Sequence, residues 1–299
     1  MRRPPRNPWR NPWGRPRFLV AVTWLYLAWA LLPVAVAMLF SFNDGRSRSV
    51  LQGLSLRWWW GDPSLSLFHR ADYGHAITHS LQLALLDMAI ATPLGTLLAL
   101  GLARWRGRGA RAANVLMLFP LVTPELVTAT SLLLLFTQVA VVPFALVGLG
   151  TAAQVIGQVT VSLPYVVVIV RGRLASIGTG YEEAAADLGA SPAQALRLVL
   201  LPLLSPALVA SLLIVFALSM DNFVVTQYLS SDESTATISM YLYADTRVAA
   251  TPALNALATL TVMLTLLAAG SAFGVYRFAS RRGHRDGAPV LRELTTPIR

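Results

Sequence analysis

The sequence contains no cysteine and no lysine, and only 13% of its 299 residues are charged. Each shortage excludes something. Without cysteine there are no disulfides, no thiolate metal sites and no cysteine nucleophiles. Without lysine there is no G-x-x-x-x-G-K-[ST] phosphate loop, so any ATP hydrolysis belongs to another chain. The charged fraction is about half the ~25% of ordinary soluble domains. Acidic residues are the scarcest charges, 14 against 24 arginines, which leaves a formal charge of +10.

What is present is apolar. Hydrophobic residues make up 55% of the chain, and mean hydropathy is +0.58. Several runs reach the ~20 residues that cross a bilayer core. The expected class is therefore an all-α polytopic membrane protein with six transmembrane helices, at about 18–42, 76–103, 113–137, 150–171, 205–229 and 254–278. Pro33 is a possible kink in the first. Residues 1–17 are rich in Arg and Pro, have no apolar run and read as a disordered basic tail. The first apolar run lacks a small-residue cleavage site and reads as a span. Residues 279–299 read as a second basic tail, leaving 18–278 as the membrane domain.

Arginine placement gives a direction. Nineteen of the 24 fall in the two tails, in the loop after the second span and in the loop after the fourth. The other loops hold Arg46, Arg48, Arg57, Arg70 and Arg247. The positive-inside rule therefore puts both termini and the 172–204 loop in the cytoplasm, the topology of a bacterial inner-membrane protein. It also accounts for the basic charge through topology, without nucleic acid. The segment from Asn43 to His75 then lies outside and carries Trp58, Trp59 and Trp60. Tryptophans there anchor at the membrane interface or offer indole faces to a cation at the mouth of a pathway.

The cytoplasmic loop is the most distinctive stretch. Glu182 to Leu188 is built of good helix formers. Gly189 suits a helix C-terminal cap. Ser191, Pro192 and Gln194 form the pattern of a capping box with proline at the first helical position. A DNA-reading helix-turn-helix is a poor fit, because Glu182, Glu183 and Asp187 would face phosphate with only Arg197 in compensation. A purely structural loop remains an alternative. Its length and two caps favour a preformed docking element, with Ala184 and Ala185 small enough to let a partner approach closely.

The order E-A-A, three residues, G, nine residues, aliphatic, one residue, L-P is filled by Glu183, Ala184, Ala185, Gly189, Val199, Leu201 and Pro202. This resembles the coupling loop of binding-protein-dependent ABC-importer permeases, with Val199 where isoleucine is usual. Further stretches resemble the second permease of spermidine/putrescine importers: Phe40-Ser41-Phe42-Asn43, Thr123-Pro124-Glu125-Leu126-Val127, Leu218 to Val225 and Asn255 to Leu260. The resemblance runs from about Phe18 to Phe278. It implies a permease fold and a coupling region from Glu182 to Leu201, Asp187 included, that docks on an ATPase. The implied partners are a second permease subunit, an ATP-binding subunit dimer that uses ATP and Mg, an external solute-binding protein and the lipid bilayer. It implies no cofactor or metal on this chain, and no catalytic residue.

Three acids fall within the expected spans: Asp87, Glu125 and Asp221. Ionisable groups at bilayer depth cost ~2.5–3.5 kcal/mol even on the lenient scale, which makes them functional candidates. Glu125 and Asp221 are expected stations for a protonated amine, with Ser219, Asn222, Trp58 and Trp59 along the same path. Several weak sites pass a cation better than one tight site. The resembled family often has two adjacent acids in the fifth span; here the second position is Asn222. Asp87 has no match in that pattern, and an Arg partner or a subunit contact would account for it. Other readings stay open: an importer of another small solute, a proton-coupled secondary transporter using Asp87, Glu125 and Asp221, or an intramembrane enzyme. The last would lean on His75 and His79, which lack the glutamate of H-E-x-x-H and fit a capping or headgroup role better.

Overall fold

The computed structural model describes residues 17–47, 50–105, 107–138, 147–249 and 252–286. The expected tails therefore lie outside the described residues, apart from Arg17 and residues 279–286. The helices are α1 (Arg17–Phe40), α2 (Ala71–Arg104), α3 (Arg108–Val122), α4 (Glu125–Gln138), α5 (Thr151–Ile177), α6 (Gly180–Asp187), α7 (Pro192–Gln194), α8 (Leu201–Asp221), α9 (Val224–Leu229), α10 (Ile238–Ala249) and α11 (Pro252–Asp286). Among the described residues, five stretches are long and apolar enough to cross a membrane, and the bent pair of α3 and α4, counted as one span, makes a sixth. No strand occurs among the described residues.

Three expected spans need correction. The third is not one helix: α3 and α4 meet at 105°. Pro124 supplies no N–H and disfavours a helical residue before it, so Thr123 is extended. The fifth does not run to 229. It ends at Asp221, Asn222 is extended, and α9 restarts at Val224. The sixth continues to Asp286, well past the expected start of the tail.

The chain divides into two compact units. One comprises Met1–His69 and Ala250–Thr259. In it, none of the apolar stretch of α1 is buried, as suits a helix solvated by lipid or by another subunit. The following loop is stapled by the buried Asn43, whose amide donates to the Ser47 and Val50 carbonyls while its oxygen accepts from Gln52 N–H. A π-helical turn, Arg57–Gly61, carries the three tryptophans. Asp62 beside it accepts from the Ser64 and Leu65 backbone N–H groups and pairs with Arg57. Those N–H groups, with Arg57 and Ser64, hold its carboxyl down at about 2.

The second unit, Arg70–Ala249 with Leu260–Arg299, is a bundle centred on α2, α5 and α8. Its main core joins Ala91, Ala99 and Leu100 of α2 to Val166, Val167 and Val170 of α5, and to Leu200, Leu204 and Val215. Small residues at Ala91, Gly95 and Ala99 recur every four positions, so one thin face of α2 lets α5 approach closely. A Cβ at Gly95 would sit 2.7 Å from Val166 Cβ and 3.3 Å from the Leu163 carbonyl oxygen. Gly95→Leu should therefore separate the two helices, at a cost of about 1–3 kcal/mol or more. We expect a lower melting temperature and a lower yield of monodisperse protein in detergent; an unchanged melting curve would contradict this packing.

Polar residues form a seam along the same helices. His79 and Asp87 are two turns apart on α2, matched by Gln154 and Ser162 on α5. His79 Nε2 contacts Gln154 Oε1 at 2.8 Å, and the Gln154 amide donates to the Thr226 and Thr235 carbonyls. The expected capping or headgroup role for His79 is thus replaced by a helix–helix tie. Among the described residues Asp87 has no arginine partner; it is fully buried and accepts from Ser162 Oγ at 2.7 Å.

Candidate functional site

The two helix breaks expose the acids singled out from the sequence. Glu125 is the first residue of α4, where the helix dipole favours a negative charge. Asp221 is the last residue of α8, where the dipole disfavours one. Both are exposed, and they lie within electrostatic reach of each other. At Asp221 the carboxylate and the unpaired carbonyls of a helix C-terminus share one sign of charge. That combination attracts a cation, as the ends of broken helices do in other transporters.

Asp221 opens into a cleft of about 490 Å³ between α8 and α11, lined mostly by apolar side chains together with Thr261 and Thr265. Those threonines were not singled out from the sequence. Their four-residue spacing on one helix face was the available signal. Ser219 and Asn222, expected on the same path, turn into the bundle instead. Ser219 Oγ donates to Gln158 Oε1 at 2.6 Å, and Asn222 Oδ1 accepts from Val225 N–H at the start of α9. Both side chains are buried.

The aromatic expectation also changes. Trp58 and Trp59 are buried, and Trp60 is the exposed member of the three at 55%. Trp59 stacks on Phe42, and Trp60 stacks on Phe68. Trp60 lines a second cleft, of about 700 Å³, with Asp44, Arg57 and Asp62. A cation-attracting surface in this loop would thus use Trp60 and Asp44, since Asp62 is paired with Arg57.

At the other end of α8, the loop has the local structure its residues dictate. Gly189 takes φ +82°, the left-handed region that suits glycine after α6. Ser191 Oγ accepts from Gln194 N–H, and Gln194 Oε1 accepts from Ser191 N–H, closing the capping box. Beyond it, α7, a π-helical stretch Ala195–Leu200 and α8 run on as one helical rod, Pro192–Asp221. The helix that the Ser191–Gln194 capping box opens is therefore the start of the fifth span, ahead of its expected beginning at about 205. Pro202 lies inside this rod, and its missing N–H falls at the junction where the π-helical stretch gives way to α8.

Surface exposure divides the loop residues. Glu183, Ala184, Asp187, Gly189 and Pro202 are exposed, whereas Val199 and Leu201 are partly buried. Ala185, expected to face a partner, is buried; α6 packs on the π-helical stretch and turns Ala185 inward. Glu182 is bound within the chain, pairing with Arg104 at the end of α2 at 2.5 Å. Leu200 joins the main bundle core. Motion of α6 would thus reach α2 through an ion pair and α8 through packing.

Two broken spans, one beginning and one ending at a carboxylate, with a capped polar loop at the far end of α8, are features that suit a multi-pass permease. The chain belongs to the family described as binding-protein-dependent transport system inner membrane component, whose model matches residues 91–283. It is 32% identical over 252 residues to the spermidine/putrescine transport system permease protein PotC of Haemophilus influenzae, covering 84% of this chain and 93% of that one. It is 33% identical over 243 residues to the putrescine transport system permease protein PotI of Escherichia coli K12, covering 81% and 83%. Its fold resembles a bacterial ABC transporter involved in import of the acidic polysaccharide alginate, with TM-score 0.68 at 17% identity, over 87% of this chain and 96% of that one.

Proposed function

We propose that this chain is a permease subunit of an ATP-driven importer of polyamines such as putrescine and spermidine. The observation that carries the reading is the rod Pro192–Asp221, 30 residues and roughly 45 Å long at 1.5 Å per residue. One end begins beside the exposed face of α6, and the other ends in a carboxylate. ATP and Mg are used by a partner ATPase dimer that grips the α6 region through Glu183, Ala184 and Asp187. A second permease completes the path, an external binding protein delivers the amine, and both termini face the cytoplasm. Force on the loop is delivered along the rod to Asp221. Glu125 and Asp221 serve as successive stations for the ammonium groups.

The similarity to PotC and PotI supports the cargo, because their names specify these amines. The carboxylate placement supports it independently through charge. The proton-coupled reading is weaker: Asp87 is sealed against Ser162 and does not line the Asp221 cleft. The test is uptake of radiolabelled putrescine and spermidine by cells that lack their own amine importers and express this chain with its partner subunits. We expect saturable uptake, competed by unlabelled amines but not by molybdate or sugars. Saturable uptake of a non-amine, with none of either polyamine, would overturn the reading.

A further inference from the structure

The cleft beside Asp221 has a composition matched to more than a charge. Asp221 lies at one end of α8 and is joined there by Ile214 and Leu218 of the same helix and by Val262 and Leu266 of α11. Thr261 and Thr265, one turn apart, add the hydroxyl groups. Thr265 donates its own proton to the Thr261 carbonyl at 3.0 Å. Its oxygen lone pairs remain as acceptors, and an ammonium group offers only donors.

We propose that this cleft is a specificity subsite that holds one ammonium group of an alkyl diamine at Asp221, with Thr265 as a second acceptor, and lays the methylene chain along Leu218, Val262 and Leu266. The inference rests on the amine cargo proposed above and adds the residues that discriminate among amines. A carboxylate alone would treat ammonium, methylammonium and diamines similarly. An apolar wall beside it favours cargo with a hydrocarbon stem, because each buried methylene adds a favourable transfer term.

The experiment measures transport kinetics of the assembled importer in proteoliposomes, using methylammonium and α,ω-diamines of three to five carbons. Thr265→Val keeps the volume and removes the acceptor. It should raise KM for 1,4-diaminobutane by roughly tenfold, with the maximal rate within about twofold of wild type. Thr265→Ser should restore KM. Val262→Thr should narrow the preference for diamines over methylammonium by about threefold. Unchanged KM in Thr265→Val, or an equal loss of maximal rate for every amine, would overturn the subsite while leaving the cargo reading intact. Absence of amine transport by the wild-type importer would overturn both.

Discussion

Asp221→Asn lowers polyamine uptake at least about thirtyfold without reducing the amount of assembled protein. Its carboxylate is exposed at the end of α8 and makes no hydrogen bond or ion pair among the described residues, so folding does not depend on it. Transport does, because a cation leaving water needs a fixed counter-charge. Losing one partner of a desolvated charge pair costs about 2–5 kcal/mol, which spans roughly thirtyfold to several thousandfold. The helix dipole sharpens the contrast with Glu125. At the N-terminus of α4 the negative charge is already partly offset by the helix, so Glu125→Gln should cost less, on the order of tenfold. The paired measurements are initial uptake rates normalised to protein in the membrane. A normal rate in Asp221→Asn, or a larger loss in Glu125→Gln than in Asp221→Asn, would contradict this assignment.

Ala184→Arg abolishes transport by a different route. Ala184 is exposed on α6 and small, whereas its neighbour Ala185 is buried beneath it. A close protein contact over Ala184 would bury an unpaired guanidinium, at a cost of several kcal/mol. The variant should reach the membrane in normal amount, lose co-purification with the proposed ATPase partner and transport nothing above background. Ala185→Arg should instead fail earlier, with less folded protein, because the side chain would enter the packing between α6 and the π-helical stretch. If the ATPase still co-purifies with Ala184→Arg at wild-type stoichiometry, α6 is not the docking face.

The sequence made the spans legible because apolar length and arginine placement are strong, local signals. It also made the loop caps legible, since Gly189 and the Ser191–Gln194 pair act within a few residues. The breaks were less accessible. Pro124 announces an opening, but packing of α4 on α9 and α5 fixes a 105° bend. The stop at Asn222 interrupts an apolar run, marked by Asp221 and by an asparagine able to cap the helix that follows. Which alanine of α6 faces outward depends on helix phase against a partner element, which no local pattern reveals. The same holds for Trp60 over Trp58 and Trp59, whose burial is set by how the 41–69 segment folds. The Asp87–Ser162 contact was not read from the sequence, because its register needs α2 and α5 side by side.

The measurement that tests the central claim most directly is the energy source of uptake. Vesicles carrying the assembled importer would take up labelled spermidine with ATP supplied on the side of the 172–204 loop, with and without a protonophore. The coupling-loop account predicts uptake that requires ATP, persists with the protonophore and disappears in Ala184→Arg. Uptake that persists without ATP and collapses with the protonophore would contradict it.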